Sequence, residues 1–92
     1  MLALSGDFMK VGVSGTLESN DCIITVTKSK ELIIEVNSVV YEFFGTQIYN
    51  LIEDTLKKLN INNVKVVIDD KGALDFTIKS RLITALERLG VL

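Results

Sequence analysis

Apolar side chains recur along this chain in two rhythms. In residues 8–13, Met9, Val11 and Val13 alternate with Phe8, Lys10 and Gly12, the two-residue period of a half-buried strand. This pattern predicts that the two valines face inward, and Ser14-Gly15 punctuates the segment. Cys22, Ile24 and Val26 then alternate with Ile23, Thr25 and Thr27 in a second strand rich in β-branched residues. After the polar break Lys28-Ser29-Lys30, Leu32, Ile34 and Val36 mark a third strand, expected to form a hairpin with the second.

The period next lengthens. Phe44, Ile48, Leu51, Ile52, Leu56 and Leu59 recur at steps of three and four, which places them on one face of a helix. Glu53 and Asp54 precede Lys57 and Lys58, in the sense that the helix dipole favours. Ser38 and Thr46 both qualify as N-caps, with Gly45 a weak point between them. Asn60, Asn62 and Asn63 can take left-handed or turn conformations beyond Leu59, and Ile61 can fold back onto the helix. Val64, Val66 and Ile68 make a fourth strand, parallel to the strand before the helix if the crossover is right-handed. Asp69-Asp70-Lys71-Gly72 is the turn after it. From Leu74, helical spacing resumes through Ile78, Leu82, Leu86 and Leu89, and Gly90 closes the element; residues 73–77 are also compatible with a strand. The order β-β-β-α-β-α predicts an α+β two-layer sandwich, a mixed four-stranded sheet with two helices on one face.

Composition narrows the chemistry. The chain has 92 residues, 48% of them hydrophobic, and no proline, which suits one compact domain spanning residues 1–92. Ten basic and twelve acidic side chains leave no strong field for nucleic acid or an anionic membrane. No run approaches the roughly 20 apolar residues of a membrane span, and the apolar start breaks at Ser5-Gly6-Asp7 without the marks of a signal peptide. A single cysteine, Cys22, flanked by apolar residues, reads as a buried thiol in a reducing compartment, so a cytoplasmic location is expected. Histidine is absent, which removes the usual general base and metal ligand near neutral pH.

Two polar clusters remain outside the core pattern. One is Gly15-Thr16-Leu17-Glu18-Ser19-Asn20-Asp21, between the first two strands. It reads as a hairpin loop of turn-forming residues, or as a loop that offers the Ser19 hydroxyl to another enzyme for covalent modification. As a nucleophile of the chain's own catalysis Ser19 lacks a neighbouring base. The other cluster is Asp69-Asp70-Lys71-Gly72-Ala73-Leu74-Asp75, after the fourth strand. Its carboxylates fall short of the ligand spacing of a twelve-residue calcium loop, so a turn leading into a helix, with Asp70 or Asp75 near the helix start, is the simpler reading and no metal site is assigned.

At these clusters the chain resembles the acyl carrier (gamma) subunit of citrate lyase, whose motifs look like Gly-Thr-Leu-Glu-Ser-Gly-Asp and Asp-Asp-Lys-Gly-Ala-Leu-Asp. The second motif is present unchanged. The first is matched by Gly15, Thr16, Leu17, Glu18, Ser19 and Asp21, with Asn20 at the expected glycine, and Asn37-Ser38 and Phe44-Gly45 also fit. Asn is the residue that best replaces Gly at a left-handed position, so the same turn is expected.

The resemblance implies a phosphoribosyl dephospho-coenzyme A group joined to Ser19 by a phosphodiester, with Gly15, Thr16, Glu18, Asn20 and Asp21 supporting the loop. It implies a non-catalytic carrier of acetyl and citryl thioesters. Its partners would be an alpha subunit that exchanges acetyl for citryl and a beta subunit that cleaves citryl thioester. A cofactor transferase and an acetylating ligase would act on it transiently. Asp69, Asp70, Lys71 and Asp75 are candidates for partner recognition. The alternatives are the similar carrier of malonate decarboxylase, which uses the same kind of group, and an unmodified structural or interaction domain.

Overall fold

A computed structural model describes residues 10–92. It contains β1 (Gly12–Gly15), β2 (Cys22–Lys28), β3 (Ile33–Ser38), α1 (Tyr41–Lys58), β4 (Val64–Asp70) and α2 (Asp75–Leu89). The order and the mixed four-stranded sheet are those read from periodicity, and residues 73–77 lead into α2 instead of forming a strand.

The sheet order is β1-β2-β4-β3. β2 pairs antiparallel with both β1 and β4, and β4 runs parallel to β3, as the crossover through α1 requires. The expected hairpin of β2 with β3 does not form, because β4 lies between them. Inward residues of the two central strands, Cys22, Ile24, Val26, Val64, Val66 and Ile68, meet Ile48, Ile52 and Leu56 of α1 and Ile78, Leu82, Leu86 and Leu89 of α2. Each such side chain, fully sealed from water, contributes about 1.5–3 kcal/mol.

β1 reverses its expected facing. Val11 and Val13 are exposed, while Gly12 and Ser14 are buried; Phe8 and Met9 lie outside the described residues. The reason is proximity: a Cβ on Gly12 would stand 2.0 Å from the Ala85 carbonyl oxygen, so α2 rests directly on the strand backbone. Only the smallest residues fit there, and the valines are displaced to the open face. Arg88 of α2 reaches past this contact to donate a hydrogen bond to the Val13 carbonyl at 2.7 Å, occupying an acceptor on the edge strand.

α1 starts at neither expected cap. Its first residue is Tyr41, and the preceding Val40 offers no side-chain cap. Ser38 accepts from Val40 N–H at 3.1 Å, ahead of the helix, and donates its hydroxyl to Asp70, while Thr46 lies inside the helix. Tyr41 lays its ring over Gly45 one turn later, where an added Cβ would meet it at 2.7 Å. The C-termini follow expectation. Asn60 takes φ 61° and Ile61 N–H returns to the Leu56 carbonyl, while Gly90 takes φ 94° and Val91 N–H returns to Leu86.

Candidate functional site

The sheet ladder sets the geometry of one end of the molecule. Cys22 pairs with Asp70 as the last register pair of β2 and β4, so the chain entering β2 and the chain leaving β4 meet at one edge. The two polar clusters are therefore neighbours. Two backbone bonds extend the ladder beyond the strands: Lys71 N–H to the Asp21 carbonyl at 2.9 Å, and Asn20 N–H to the Lys71 carbonyl at 2.8 Å.

Within the first loop, Thr16 N–H bonds the Cys22 carbonyl and closes the hairpin at 3.1 Å. Gly15 is obligatory, with φ 110° and a position at which a Cβ would fall 1.8 Å from the Cys22 oxygen. The tip is a β-turn from Glu18 to Asp21, closed by Asp21 N–H to the Glu18 carbonyl at 3.1 Å. Asn20, at its third position, has φ 66°, whereas Ser19 does not have positive φ, which makes the turn type II. The left-handed conformation expected where Asn20 replaces glycine is thus present. Ser19 is exposed at the second position, and its hydroxyl takes part in none of the loop's hydrogen bonds among the described residues. Glu18 is exposed beside it.

Asp21 anchors this turn. Arg81 of α2 clasps both carboxylate oxygens, Nε to Oδ1 at 3.0 Å and Nη2 to Oδ2 at 2.7 Å. Thr16 donates its hydroxyl to Oδ2 at 2.8 Å, and Cys22 N–H donates to Oδ1 at 2.7 Å. The Arg81 guanidinium foremost, then the Cys22 N–H and the Thr16 hydroxyl, hold the carboxyl far below the usual carboxylate range. The same pairing raises Arg81 further. Arg81 is the residue that sequence reasoning missed. Its place immediately before the apolar Leu82 and three after Ile78 is the signal, because that flank of an amphipathic helix borders the sheet.

In the second loop Asp70 is buried, with 2% of its surface exposed. Its Oδ2 accepts from the Ser38 hydroxyl at 2.7 Å and Gly72 N–H at 3.1 Å, and its Oδ1 accepts from Ala73 N–H at 2.9 Å. Asp70 therefore presents nothing to a partner, which corrects its place among the recognition candidates: its carboxylate is consumed in shaping the loop that starts α2. Asp69, Lys71 and Asp75 are exposed. Asp69 alternates with Asp70 to the opposite side of the sheet, and Asp75 opens α2, so the three carboxylates diverge. Among the described residues no group of three or more Asp, Glu or Cys side chains is placed to hold a metal ion.

Cys22 lies beneath both loops, fully buried. Burial, and after it the charges of Asp21 and Asp70, push its thiol up to about 12, so it is a packing residue and not a nucleophile. Beside the serine turn a crevice of about 610 Å³ opens between the start of α1 and the Asp70 loop; its walls include Asn20, Val40, Phe44, Gln47 and Leu74.

Comparison with known proteins gives the family of the chain. Curated relatives named citrate lyase acyl carrier protein align over most of the chain: that of Treponema denticola is 45% identical over 83% of this chain and 87% of its own length. That of Streptococcus uberis is 46% identical over 89% and 82%, and that of Lactiplantibacillus plantarum 49% over 83% and 80%. The chain belongs to the citrate lyase acyl carrier protein family. A family model described as ACP, malonate decarboxylase delta subunit (MdcD), matches residues 9–89. A chain in the crystal structure of a Pseudomonas malonate decarboxylase hetero-tetramer in complex with malonate has the same fold. Its TM-score is 0.78 at 20% identity, covering 88% of this chain and 84% of that one. This chain thus shares its sheet-and-helix sandwich with that one. Among the described residues no helix is long and apolar enough to cross a membrane.

Proposed function

We propose that this chain is the acyl carrier subunit of a citrate lyase complex, that residues 1–92 act as one carrier domain, and that Ser19 is its attachment point for phosphoribosyl dephospho-coenzyme A. The observation that carries the reading is the Ser19 turn, which offers an exposed, uncommitted hydroxyl from a rigid mount in a chain of this family. Once bound, the group supplies a thiol that holds acetyl and citryl units as thioesters.

The residues present fit such a group. A transferase must reach the serine oxygen from outside, and the type II turn projects it there; Gly15, Thr16 and Asp21 fix the turn from below, and Asn20 supplies its positive φ. Asp21 and Arg81 keep the hairpin from swaying, so the arm pivots at a defined point and its reach is set by its own length. Tethering then keeps the acyl group at high effective concentration near the alpha and beta subunits, where citryl exchange and cleavage take place. Asp69, Lys71 and Asp75 lie exposed on the loop joined to the serine turn and are the side chains we assign to partner recognition. A cytoplasmic location accords with the buried free thiol of Cys22.

Intact-protein and peptide mass spectrometry of the chain made with its cognate cofactor transferase tests the assignment. A phosphoribosyl dephospho-coenzyme A adduct on Ser19, lost in Ser19→Ala, is the expected result; an adduct on another serine refutes the site, and no adduct refutes the carrier reading. A phosphopantetheinyl transferase with coenzyme A should leave the mass unchanged, since this turn is not a helix-start serine of a four-helix carrier. The malonate decarboxylase reading is favoured only by the shared fold and the family description. Mixing the loaded chain with citrate lyase subunits and with malonate decarboxylase subunits separates the two, turnover of citrate being expected.

A further inference from the structure

The wall of the crevice beside Ser19 begins at the next residue, Asn20. Its volume, about 610 Å³, falls within the ~300–1,000 Å³ usual for small-molecule sites. One side includes Phe44 of α1, which is half-exposed; the other is Ala73 and Leu74, running into α2. Gln47 supplies an amide that both donates and accepts, and Asp75 supplies a carboxylate. The surface is mostly apolar with a few convergent polar groups.

We propose that this crevice receives the adenine base of the nucleotide tethered at Ser19, stacked on Phe44 with its polar edge toward Gln47 and Asp75. The inference rests on the attachment reading given above. Three considerations select the base from the parts of the arm. Its phosphates carry negative charge, and Asp70 and Asp75 both border the crevice, so the anionic units are repelled. The pantetheine portion is neutral but flexible, and immobilising it costs conformational entropy that a planar ring does not lose. The nucleoside is also the first apolar body along the arm from the serine, so its effective concentration at a crevice that starts one residue away is the highest. An amino-bearing heterocycle further matches a carboxylate acceptor and an amide, and its flat face matches an aromatic ring. Docked in this way, the nucleotide becomes a fixed root and only the pantetheine and its acyl group swing.

The test uses isotope-labelled full-length chain in apo and cofactor-loaded forms. The adduct on Ser19 is first verified by mass, so that a failure of the attachment reading appears there and a failure of docking appears in the spectra. The expected result is amide shift changes on loading at Val40, Phe44, Gln47, Ala73 and Leu74, with nuclear Overhauser contacts from the adenine protons to the Phe44 ring. Phe44→Ala should abolish those contacts while leaving the core resonances and the adduct mass intact, and Phe44→Tyr should retain them. Shift changes confined to residues 18–20 overturn the proposal. So do contacts to Phe44 from the pantoyl methyls or the acetyl group in place of the base.

Discussion

Asp21 and Asp70 flank the same end of the sheet, and each has its carboxylate held by donors from three residues, yet they work differently. Asp70 is sealed from water and is satisfied almost entirely by its own neighbourhood: two backbone N–H groups within three residues and the Ser38 hydroxyl on the adjoining strand. Asp21 stays partly open to solvent, and its principal partner, Arg81, comes from 60 residues further along the chain. The first builds a loop. The second ties a loop to a distant helix. Burial makes a carboxylate expensive to disturb, whereas reach makes it a brace, and the loop that carries Ser19 uses the brace.

The contrast can be broken at its strongest point by Asp70→Ala. Loss of this carboxylate strands two backbone donors and a hydroxyl in a dry site, and urea unfolding should show about 3–5 kcal/mol less stability. Cys22, between the two aspartates, sharpens the picture next. With its thiol pushed up to about 12, native protein at pH 8 should react with iodoacetamide roughly a thousand-fold more slowly than a free cysteine, and at the ordinary rate once unfolded in urea. Asp21→Asn should lower the thermal midpoint less than Asp70→Ala does. It should nonetheless accelerate hydrogen exchange of the Asn20 and Cys22 amides about tenfold and slow cofactor loading; Arg81→Lys, which cannot clasp both oxygens, should do the same.

Acid gives a gentler probe. The folded Asp21 carboxyl titrates well below its unfolded value, so its contribution to stability is fully present above the ordinary carboxylate range and disappears as pH falls through the depressed folded value. The Arg81 Nε resonance should therefore hold its position from pH 7 down to about 4 and move only in stronger acid. The smallest effect belongs to Asn20→Gly. It relieves a positive φ but frees the unfolded chain, and the two should cancel to within about 0.5 kcal/mol with Ser19 loading unchanged.

Periodicity made the elements legible because each strand and helix of the core buries one face only. Ile24 with Val26 and Leu82 with Leu86 are visible in the chain as alternation and as a four-residue step. Strand order was not, since the pattern of β2 is the same whether its neighbour is β3 or β4. The facing of β1 was misread because the buried residues, Gly12 and Ser14, are small for steric reasons, while the apolar Val11 and Val13 occupy the open face. At the site, the left-handed Asn20 followed from residue type, and the two clusters were visible as motifs. Their junction through Lys71 and Asp21, and the Arg81 clasp from α2, depend on the ladder register and on helix placement, which no local pattern encodes.

The closeness of Gly12 to Ala85 bears on how such carriers can diverge. An extra methyl on the strand has no empty space to enter and meets a carbonyl oxygen of the helix, so the helix must lift before the mutation is accepted. β1 runs directly into the serine hairpin, and α2 also carries Arg81, so a lift at this point would draw apart the two halves of the clasp on Asp21. Position 12 is thereby yoked to the geometry of the Ser19 turn some seven residues later, through a glycine that never touches it.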